Sequence, residues 1–288
     1  MKRFAVIGHP VSHSLSPLLH NTAYSLLGLE CSYEAVDVGP HLLGEAVRDF
    51  KERGYCGLNV TIPHKEAIVK FVDTQSDESK AARAVNTVMF DNGRAYGHNT
   101  DVYGVAASLE RYRTEIQGRL AVVLGAGGSA RAIVYALCGR FAPSEIVIAN
   151  RSVERAEELI ADLKSHAMRT SLRATSLPGA DLDLLLPQAT LVINATSIGM
   201  YPAVDQSPIG DDAGFHPGQI ALDLIYTPLE TRFLNQASRC GARTISGLEM
   251  FLHQGARSFE IWLGRQMPVE DLRPVIVNEL KSRHSSVR

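Results

Sequence analysis

The feature that most constrains this chain is a glycine-rich turn at residues 125–130, placed between an apolar run and a helix-like segment. The run Leu120–Leu124 predicts a short buried strand that leads into the turn. Glycines at such a point allow a tight turn and let backbone N–H groups approach a pyrophosphate. The spacing matches the dinucleotide-binding fingerprint, whose predicted contacts are Gly125, Ala126, Gly127, Gly128, Ser129 and Ala130. A glycine-rich turn without a ligand is the alternative.

The end of the next predicted strand indicates which dinucleotide is bound. The mostly apolar run at residues 145–149 is followed by Asn150, Arg151 and Ser152, where an Asp or Glu would bind a free ribose hydroxyl. An arginine here accommodates the adenosine 2′-phosphate, and Arg155, one helical turn on, could supply a second cation. The sequence therefore favours NADP(H) over NAD(H). The alternatives are that Ser152 caps a helix and that Arg155 is a solvated charge.

Strand-like and helix-like segments alternate along the chain, which predicts parallel sheets flanked by helices. Strands are predicted at residues 4–7, 33–38, 57–61, 120–124, 145–149, 191–194 and 220–224, with a hairpin that turns at 91–93. Helices are predicted at residues 18–27, 41–53 and 100–112, and another near Pro63. The region from residue 120 is doubly wound by pattern. The chain from Gly247 onward is helical, and periodicity does not assign it to either region.

The composition is that of a globular protein without a strong charge bias. The 288 residues are 45% hydrophobic and 21% charged, and the formal net charge is -2. A near-neutral chain offers no positive field for nucleic acid or an anionic membrane, so neither is expected as a partner. No apolar run approaches the roughly 20 residues of a membrane span, and Met1-Lys2-Arg3 leads straight into a strand-like run. The expected location is the cytoplasm, and the expected partner is a small molecule.

The cysteines and histidines do not predict a metal site. Cys31, Cys56, Cys138 and Cys240 are scattered, with no Cys-x-x-Cys pair. The ten histidines show no ligand spacing such as His-Glu-x-x-His. We therefore expect no metal, and reduced cysteines that pack as small apolar side chains.

Two hydroxyls and one amine stand out near predicted helix starts. Ser14 and Ser16 lie in a loop before Pro17, which suits the first helical position and makes Ser16 the predicted cap. A capped helix N-terminus also binds anions, and two neutral hydroxyls could hold a small carboxylate. Lys65 falls at the predicted start of the helix near Pro63, where the partial positive charge disfavours a cation. It is either a tolerated surface charge or a functional amine.

Eight short motifs follow one another along the chain. They are Ser-x-Ser-Pro, Asn-Val-Thr-Ile-Pro-His-Lys, Ala-Val-Asn-Thr, Asn-Thr-Asp, Gly-Ala-Gly-Gly, Asn-Arg-Ser, Asn-Ala-Thr-Ser and His-Gln-Gly. In this ordered set the chain resembles the shikimate dehydrogenases over essentially its whole length. The resemblance implies a two-domain α/β enzyme that reduces 3-dehydroshikimate to shikimate with NADPH, in aromatic amino-acid biosynthesis. It implies an open α/β substrate domain at residues 1–103 plus 245–288, to which the C-terminal helices return, and a doubly wound Rossmann-type NADP domain at 104–244.

The resemblance also implies roles for residues within these motifs. Lys65 would transfer the proton, and Ser14 and Ser16 would bind the substrate carboxylate. The substrate ring hydroxyls would be bound by Asn59, Thr61, Asn86, Asp101 and Gln254, with Tyr226 as a further substrate contact. On the cofactor side the resemblance adds Asp77, Asn194, Thr196, Ser197 and Gly247. Val102 departs from the family, which commonly has glycine after the aspartate. The departure affects the expected backbone shape next to Asp101 and leaves Asp101 itself in place.

Reduction of a carbonyl needs a hydride at carbon and a proton at oxygen. Lys65 can donate that proton, and in the oxidising direction it must be neutral to accept one. Partial burial and the predicted helix end would favour the neutral amine, whereas pairing with Asp101 would favour the charged amine. The sequence therefore indicates a Lys65/Asp101 unit without assigning the proton to either member.

Other activities compete with this interpretation. Quinate has an extra hydroxyl beside its carboxylate, so a quinate or broad-specificity enzyme needs room near Ser14, Ser16 and Thr61. Hydroxyl side chains of full size at these positions favour shikimate. An aminoshikimate-pathway enzyme is a more distant variant. A non-catalytic NADP(H)-binding regulator would have no need of both Lys65 and Asp101. A monomer or homodimer is expected.

Overall fold

The computed structural model describes residues 1–211 and 214–285 and separates into two compact units. The first unit comprises residues 1–104 and the chain from Leu252 onward, and the second comprises Val105–Phe251. Among the described residues each unit contains one six-stranded sheet.

The regular elements are numbered in chain order. The strands are β1 Lys2–Gly8, β2 Cys31–Asp37, β3 Gly57–Val60, β4 Thr74–Gln75, β5 Thr87–Asp91, β6 Arg94–His98, β7 Leu120–Leu124, β8 Glu145–Asn150, β9 Ser171–Ser176, β10 Leu191–Asn194, β11 Ile220–Asp223 and β12 Arg243–Ile245. The α-helices are α1 Ser16–Leu26, α2 Leu43–Glu52, α3 Asp77–Ala82, α4 Asp101–Leu109, α5 Arg113–Ile116, α6 Gly128–Ala136, α7 Val153–Leu163, α8 Ala180–Leu185, α9 Arg232–Arg239, α10 Gly247–Leu263 and α11 Val269–Ser285.

The sheet of the first unit is mixed and has the strand order β2-β1-β3-β5-β6-β4. β1 runs parallel to β2 and β3, whereas β5 runs antiparallel to β3 and forms the predicted hairpin with β6. In the β3/β5 pair, Asn59 lies opposite Thr87. This antiparallel register brings the start of β5 to the same edge as the end of β3.

The sheet of the second unit is parallel throughout and has the order β12-β11-β10-β7-β8-β9. The chain adds β8 and β9 on one side of β7, then returns to add β10, β11 and β12 on the other. The predicted doubly wound fold is thus confirmed. The reversal lies between β7 and β10, and ligands of such sheets bind at the carboxyl ends of the strands beside it.

Burial explains why the sequence forms these layers. All four residues of β10 and of β11 are buried, as expected for parallel strands covered on both faces, and their sequences are correspondingly mostly apolar instead of alternating. Helix α7 buries Ala156, Leu159 and Leu163, whose spacing of three and four residues forms one apolar face. None of the helices in the described part of the chain combines the length and apolar character needed to cross a membrane.

The α-helix predicted near Pro63 is wrong. The chain forms a five-residue 3₁₀ helix at Ala67–Phe71, and Lys65 lies in the turn before it. The Lys65 carbonyl accepts a hydrogen bond from Val85 N at 2.8 Å and is therefore committed to another segment of the chain. The helix that was expected to favour a neutral Lys65 amine is therefore a five-residue 3₁₀ helix that begins two residues after Lys65.

The predicted capping role of Ser16 is also wrong. Ser16 is the first residue of α1, the N-cap is Leu15, and no side chain of the cap residue bonds the helix. Instead, the Ser14 hydroxyl accepts a hydrogen bond from Ser16 N at 3.2 Å. Ser14 thus satisfies one of the backbone donors that a helix start leaves without a partner.

Candidate active site

Lys65 and Asp101 form an ion pair in the first unit. Lys65 Nζ lies 2.7 Å from Asp101 Oδ2, although the residues are 36 positions apart. The Asp101 side chain is 5% exposed, whereas that of Lys65 is 19% exposed. The carboxylate is therefore buried and the amine partly accessible. A charge-assisted bond of this length orients the amine strongly.

Asn86 holds the other oxygen of the same carboxylate. Its Nδ2 donates to Asp101 Oδ1 at 2.8 Å, and its Oδ1 accepts from Thr100 N at 2.7 Å. Asp101 N in turn donates to Asn99 Oδ1 at 3.1 Å. The two asparagines therefore fix both the carboxylate and the backbone at the start of α4.

The strand arrangement explains why these distant residues meet. Val60 N at the end of β3 donates to Asn86 O at 2.8 Å, and Asn86 N donates to His98 O of β6 at 3.0 Å. The end of β3, the start of β5 and the end of β6 thus lie side by side. Lys65 follows β3 and Asp101 follows β6, so both side chains reach the same edge of the sheet.

Four polar residues that sequence reasoning missed join this group. They are Tyr33, Thr87, Thr100 and Ser258. Thr87 and Thr100 lie inside the Ala-Val-Asn-Thr and Asn-Thr-Asp motifs, and Ser258 follows Gln254 by one helical turn, so motif proximity was the available signal for these three. Tyr33 belongs to a strand that no motif marks.

The other predicted substrate contacts of the first unit lie nearby in its sequence motifs. Ser16 is 8% exposed. Tyr33 is buried, and its pKa is raised by that burial. Thr61 is half-buried directly after β3, where its backbone N donates to Ile7 O at 2.9 Å. Gln254 is half-buried on α10, and its carbonyl accepts from Ser258 Oγ at 3.0 Å.

Tyr226 belongs to the second unit. It follows β11, and its ring centroid lies 4.8 Å from that of Phe251. The structure thus brings Lys65, Asp101, Asn59 and Asn86 into one hydrogen-bonded group of the first unit, and Tyr226 is carried by the other unit.

The glycine turn after β7 has the shape that a dinucleotide requires. Gly125 has φ +107°, and a Cβ at this position would lie 3.2 Å from the Ala195 backbone. Gly127 is the N-cap of α6, and a Cβ there would meet nothing within 4 Å. Open space at the start of a nine-residue helix, lined by backbone and not by side chains, suits a pyrophosphate. These residues therefore fit the predicted cofactor.

The cation pair predicted for the 2′-phosphate is accessible. Arg151 and Arg155 are exposed, and neither forms an ion pair within residues 1–211 and 214–285. Ser152 occupies the N-cap position of α7, but its hydroxyl donates to Glu154 Oε2 at 2.7 Å and makes no capping bond. Asn150 Nδ2 donates to Ser152 O at 2.8 Å, which shapes the turn. Both guanidinium groups can therefore bind an anion.

A buried carboxylate organises the predicted cofactor loop after β10. Asp223 Oδ1 accepts from Asn194 Nδ2 at 3.1 Å, and Asn194 Oδ1 accepts from Thr196 N at 3.0 Å. Asp223 Oδ2 accepts from Thr231 Oγ1 at 2.6 Å. Burial raises the pKa of Asp223 to about 6, and these hydrogen bonds oppose the shift. The loops after β10 and β11 are thus tied together. Ser197, next in the first loop, is exposed.

Two predicted cofactor-side residues have other contacts in this structure. Asp77 begins α3 in the first unit, is 90% exposed and pairs with Lys80 at 3.3 Å. Gly247 begins α10, and a Cβ there would lie 2.2 Å from Leu224 O, so close packing already requires glycine. In the part of the chain that the structure describes, no cluster of His, Cys, Asp and Glu could hold a metal ion.

A backbone cradle for a dinucleotide and an amine oriented by a carboxylate supply the two requirements of carbonyl reduction, so the chain is an NADP-dependent oxidoreductase by class. Residues 6–88 match the shikimate dehydrogenase substrate binding domain, residues 108–205 the shikimate / quinate 5-dehydrogenase family, and residues 247–276 the shikimate 5′-dehydrogenase C-terminal domain. The chain belongs to the shikimate dehydrogenase family.

Individual relatives cover nearly the full length. The chain is 43% identical over 277 residues to the shikimate dehydrogenase (NADP(+)) of Methanopyrus kandleri, a match that covers 96% of this chain and 95% of the relative. A crystal structure of shikimate dehydrogenase in complex with NADP+ has a TM-score of 0.88 at 36% identity, covering 97% and 96% of the two chains. The Thermus thermophilus enzyme in complex with NADP(H) and shikimate has a TM-score of 0.84 at 38% identity, covering 95% and 98%.

Proposed function

We propose that this chain catalyses the reversible reduction of 3-dehydroshikimate to shikimate with NADPH, a step of aromatic amino-acid biosynthesis. The observation that carries the proposal is the 2.7 Å contact between Lys65 Nζ and the buried Asp101 carboxylate, in a chain of this family. Bound NADPH supplies the hydride. The oxygen of the reduced carbonyl then needs a proton, and Lys65 is the residue placed to donate it.

The geometry of the pair supports this role for Lys65. An ammonium group has three N–H donors, and one is directed to Asp101 Oδ2. Two remain for a substrate oxygen. The Asp101 carboxylate is itself held at its other oxygen by Asn86, so it orients the amine from a fixed position. In the oxidising direction the same arrangement lets neutral Lys65 accept the hydroxyl proton of shikimate.

The remaining predicted residues are assigned to binding. Ser14 and Ser16 would hold the substrate carboxylate, supported by the burial of Ser16 at the start of α1. Thr61 and Gln254, both half-buried in the first unit, would address ring hydroxyls. The open turn at Gly127 would accept the pyrophosphate, and Arg151 and Arg155 the adenosine 2′-phosphate.

The second candidate is a quinate or broad-specificity quinate/shikimate activity. This second candidate is supported by the family that residues 108–205 match, which is described as shikimate / quinate 5-dehydrogenase. Quinate has an extra hydroxyl on the carbon that bears the carboxylate. The hydroxyl side chains of Ser14, Ser16 and Thr61 would occupy the space this group needs, which favours shikimate as the substrate.

A matrix of two substrates and two cofactors tests the proposal. Purified enzyme is assayed at 340 nm with shikimate or quinate, each with NADP+ or NAD+, and kcat/KM is compared across the four combinations. We expect the highest value for shikimate with NADP+. A higher value for quinate would support the second candidate. Cofactor binding without any absorbance change would instead indicate a non-catalytic NADP(H)-binding regulator. The same proposal takes the enzyme to be cytoplasmic and monomeric or homodimeric, which fractionation and light scattering would test.

A further inference from the structure

Ser258 is a buried hydroxyl at the centre of the polar group beneath Asp101. It lies on α10, one helical turn after Gln254, and is 0% exposed. Its Oγ lies 2.9 Å from Asn59 Nδ2, 2.8 Å from Thr87 Oγ1 and 3.2 Å from Thr100 Oγ1. One side chain of α10 thus contacts β3, β5 and the segment before α4. A helix can accommodate a serine that makes no such contacts. The meeting of these three side chains at Ser258 therefore requires an explanation.

The direction of these hydrogen bonds follows from the donor count. A hydroxyl has one proton and two lone pairs. The Gln254 carbonyl, 3.0 Å from Ser258 Oγ, can only accept, so the Ser258 proton is directed to it. The Ser258 oxygen is then left to accept from Asn59 and Thr87. Ser258 therefore anchors these two side chains to the backbone of α10.

Four hydrogen bonds connect Ser258 with the Asp101 carboxylate. Thr87 donates its one proton to Ser258, and its oxygen lies 3.3 Å from Thr100 Oγ1, which can donate to it. Both protons of Asn86 Nδ2 are used, one toward Thr100 Oγ1 at 3.0 Å and one toward Asp101 Oδ1 at 2.8 Å. Because Asn86 has no other amide proton to offer, its orientation decides where the Asp101 oxygen lies.

A second arm of the group runs from Ser258 to Tyr33. Asn59 donates to Ser258, and its Oδ1 accepts from Tyr33 OH at 2.7 Å. Asn59 is 6% exposed and its Nδ2 additionally contacts Thr87 Oγ1 at 3.1 Å, so its amide is committed to the protein interior. The same hydroxyl thus also fixes the orientation of Asn59.

We propose that Ser258 is a positioning residue for the Lys65/Asp101 proton-transfer pair, acting through Thr87, Thr100 and Asn86. The proposal rests on the proposed function. Without the Ser258 hydroxyl, Thr87 and Asn59 each lose a buried partner, and the Thr87 and Thr100 hydroxyls that help to orient the Asn86 amide can rearrange. Asp101 and its bound amine then sample positions from which proton transfer to the substrate is slower, because small displacements of a reacting group are costly in rate.

The first test is Ser258→Ala in the full-length enzyme. We expect kcat to fall by about tenfold while KM for shikimate changes by less than about twofold, because the hydroxyl orients the reacting pair and does not touch substrate. Ser79→Ala is the matched control, since Ser79 is also a fully buried serine of the first unit and bonds Ser76 O at 3.0 Å on α3. Circular dichroism and the thermal midpoint confirm folding of both variants.

A double-mutant cycle with Asp101→Asn decides whether Ser258 acts through Asp101. We expect Ser258→Ala to reduce kcat in the wild-type background and to have little further effect in the Asp101→Asn background. Equal losses in both backgrounds, or no loss in the wild type, would overturn the proposal.

If Ser258→Ala does not fold, Ser258→Cys replaces it, because a thiol keeps the volume and is a weak donor. A wild-type chain without activity would overturn the proposed function and this inference together, whereas an active chain with an additive cycle overturns the inference alone.

Discussion

The imidazole ring of His20 lies parallel to the phenol ring of Tyr33, with 4.4 Å between the ring centroids and 1° between the ring planes. Both residues are buried, beside Phe259 and Trp262. His20 Nδ1 has no hydrogen-bond partner within the described part of the chain. Burial lowers the pKa of His20 to about 3, so the ring is neutral in the folded protein.

This buried ring predicts a loss of stability in acid. The unfolded histidine titrates near pH 6.5 and the folded one near 3, so between these values the unfolded chain binds one proton more. The free energy of unfolding should therefore fall by up to about 1.4 kcal/mol per pH unit as the pH drops through this window.

Urea unfolding of wild type and His20→Phe at several pH values measures how steeply the free energy of unfolding changes with pH. This slope should be shallower for the variant. His41→Phe, at an exposed histidine, is the control. Equal slopes for all three proteins would contradict the prediction.

Removal of the proposed proton donor should affect turnover more than binding. Lys65→Ala is expected to lower kcat by roughly 10²-fold or more, the usual scale for a general acid or base. Binding of shikimate, measured by calorimetry, should weaken little, because the substrate keeps its other proposed contacts. Lys70→Ala changes an exposed lysine of the neighbouring 3₁₀ helix and should leave both quantities unchanged. Nearly normal turnover of Lys65→Ala would remove this residue from the chemistry.

The open face at Gly127 predicts a variant that folds and yet binds cofactor poorly. A Cβ at Gly127 meets no protein atom within 4 Å, so Gly127→Ala should keep the wild-type thermal midpoint. The same methyl group would occupy the space proposed for the pyrophosphate and should raise the Kd for NADP+ about tenfold or more, a cost of about 1.4 kcal/mol. Gly139→Ala, also without neighbours within 4 Å, is the control in the same unit. An unchanged Kd would show that the cofactor does not approach Gly127.

Gly125→Ala should fail for a different reason. With φ +107° and the Ala195 backbone 3.2 Å from the added Cβ, alanine is strained in the folded state itself. We expect a loss of about 1–3 kcal/mol in the free energy of unfolding, measured with urea. A stable Gly125→Ala protein would mean that the turn can adopt another backbone conformation.

Cofactor preference should depend on the exposed arginines after β8. Arg151→Asp is expected to weaken NADP+ binding by roughly tenfold or more, since a charge-assisted bond to phosphate contributes about 1.5–3 kcal/mol. NAD+ binding should be unchanged or improved. Arg169→Asp makes the same charge change at another exposed arginine of the second unit and should alter neither affinity. Equal effects of both variants would indicate a long-range electrostatic contribution in place of a direct contact.

The sequence predicted those parts of the fold that depend on local pattern. Buried strands such as β7 and β10 were predicted at their observed residues because parallel strands covered on both faces are continuous apolar runs. Strand β9, Ser171–Ser176, was missed because its sequence is mostly polar and its half-exposed face gives no apolar run. The failed helix near Pro63 has a similar origin, since the Lys65 carbonyl is bound by Val85 from another part of the chain.

The site was predictable where chemistry and motif coincide. Lys65 and Asp101 were both named, and the structure brings them within 2.7 Å. Ser258 was not, because its position one helical turn after Gln254 was its only signal, and its contact with Asn59 joins residues 199 positions apart. Such contacts arise from tertiary packing, which no local pattern in the sequence contains.

The hairpin of β5 and β6 carries its chemistry at one end. Asn86 precedes β5 and Asp101 follows β6, whereas the exposed turn at residues 91–93 lies five strand residues away, or about 17 Å at 3.4 Å per residue. Asn92 and Gly93 in that turn have positive φ, so a substitution at either position would strain the backbone. Asp91 does not have a positive φ. A fluorophore or surface tether attached at Asp91 would therefore report on this unit without disturbing the residues proposed to move the proton.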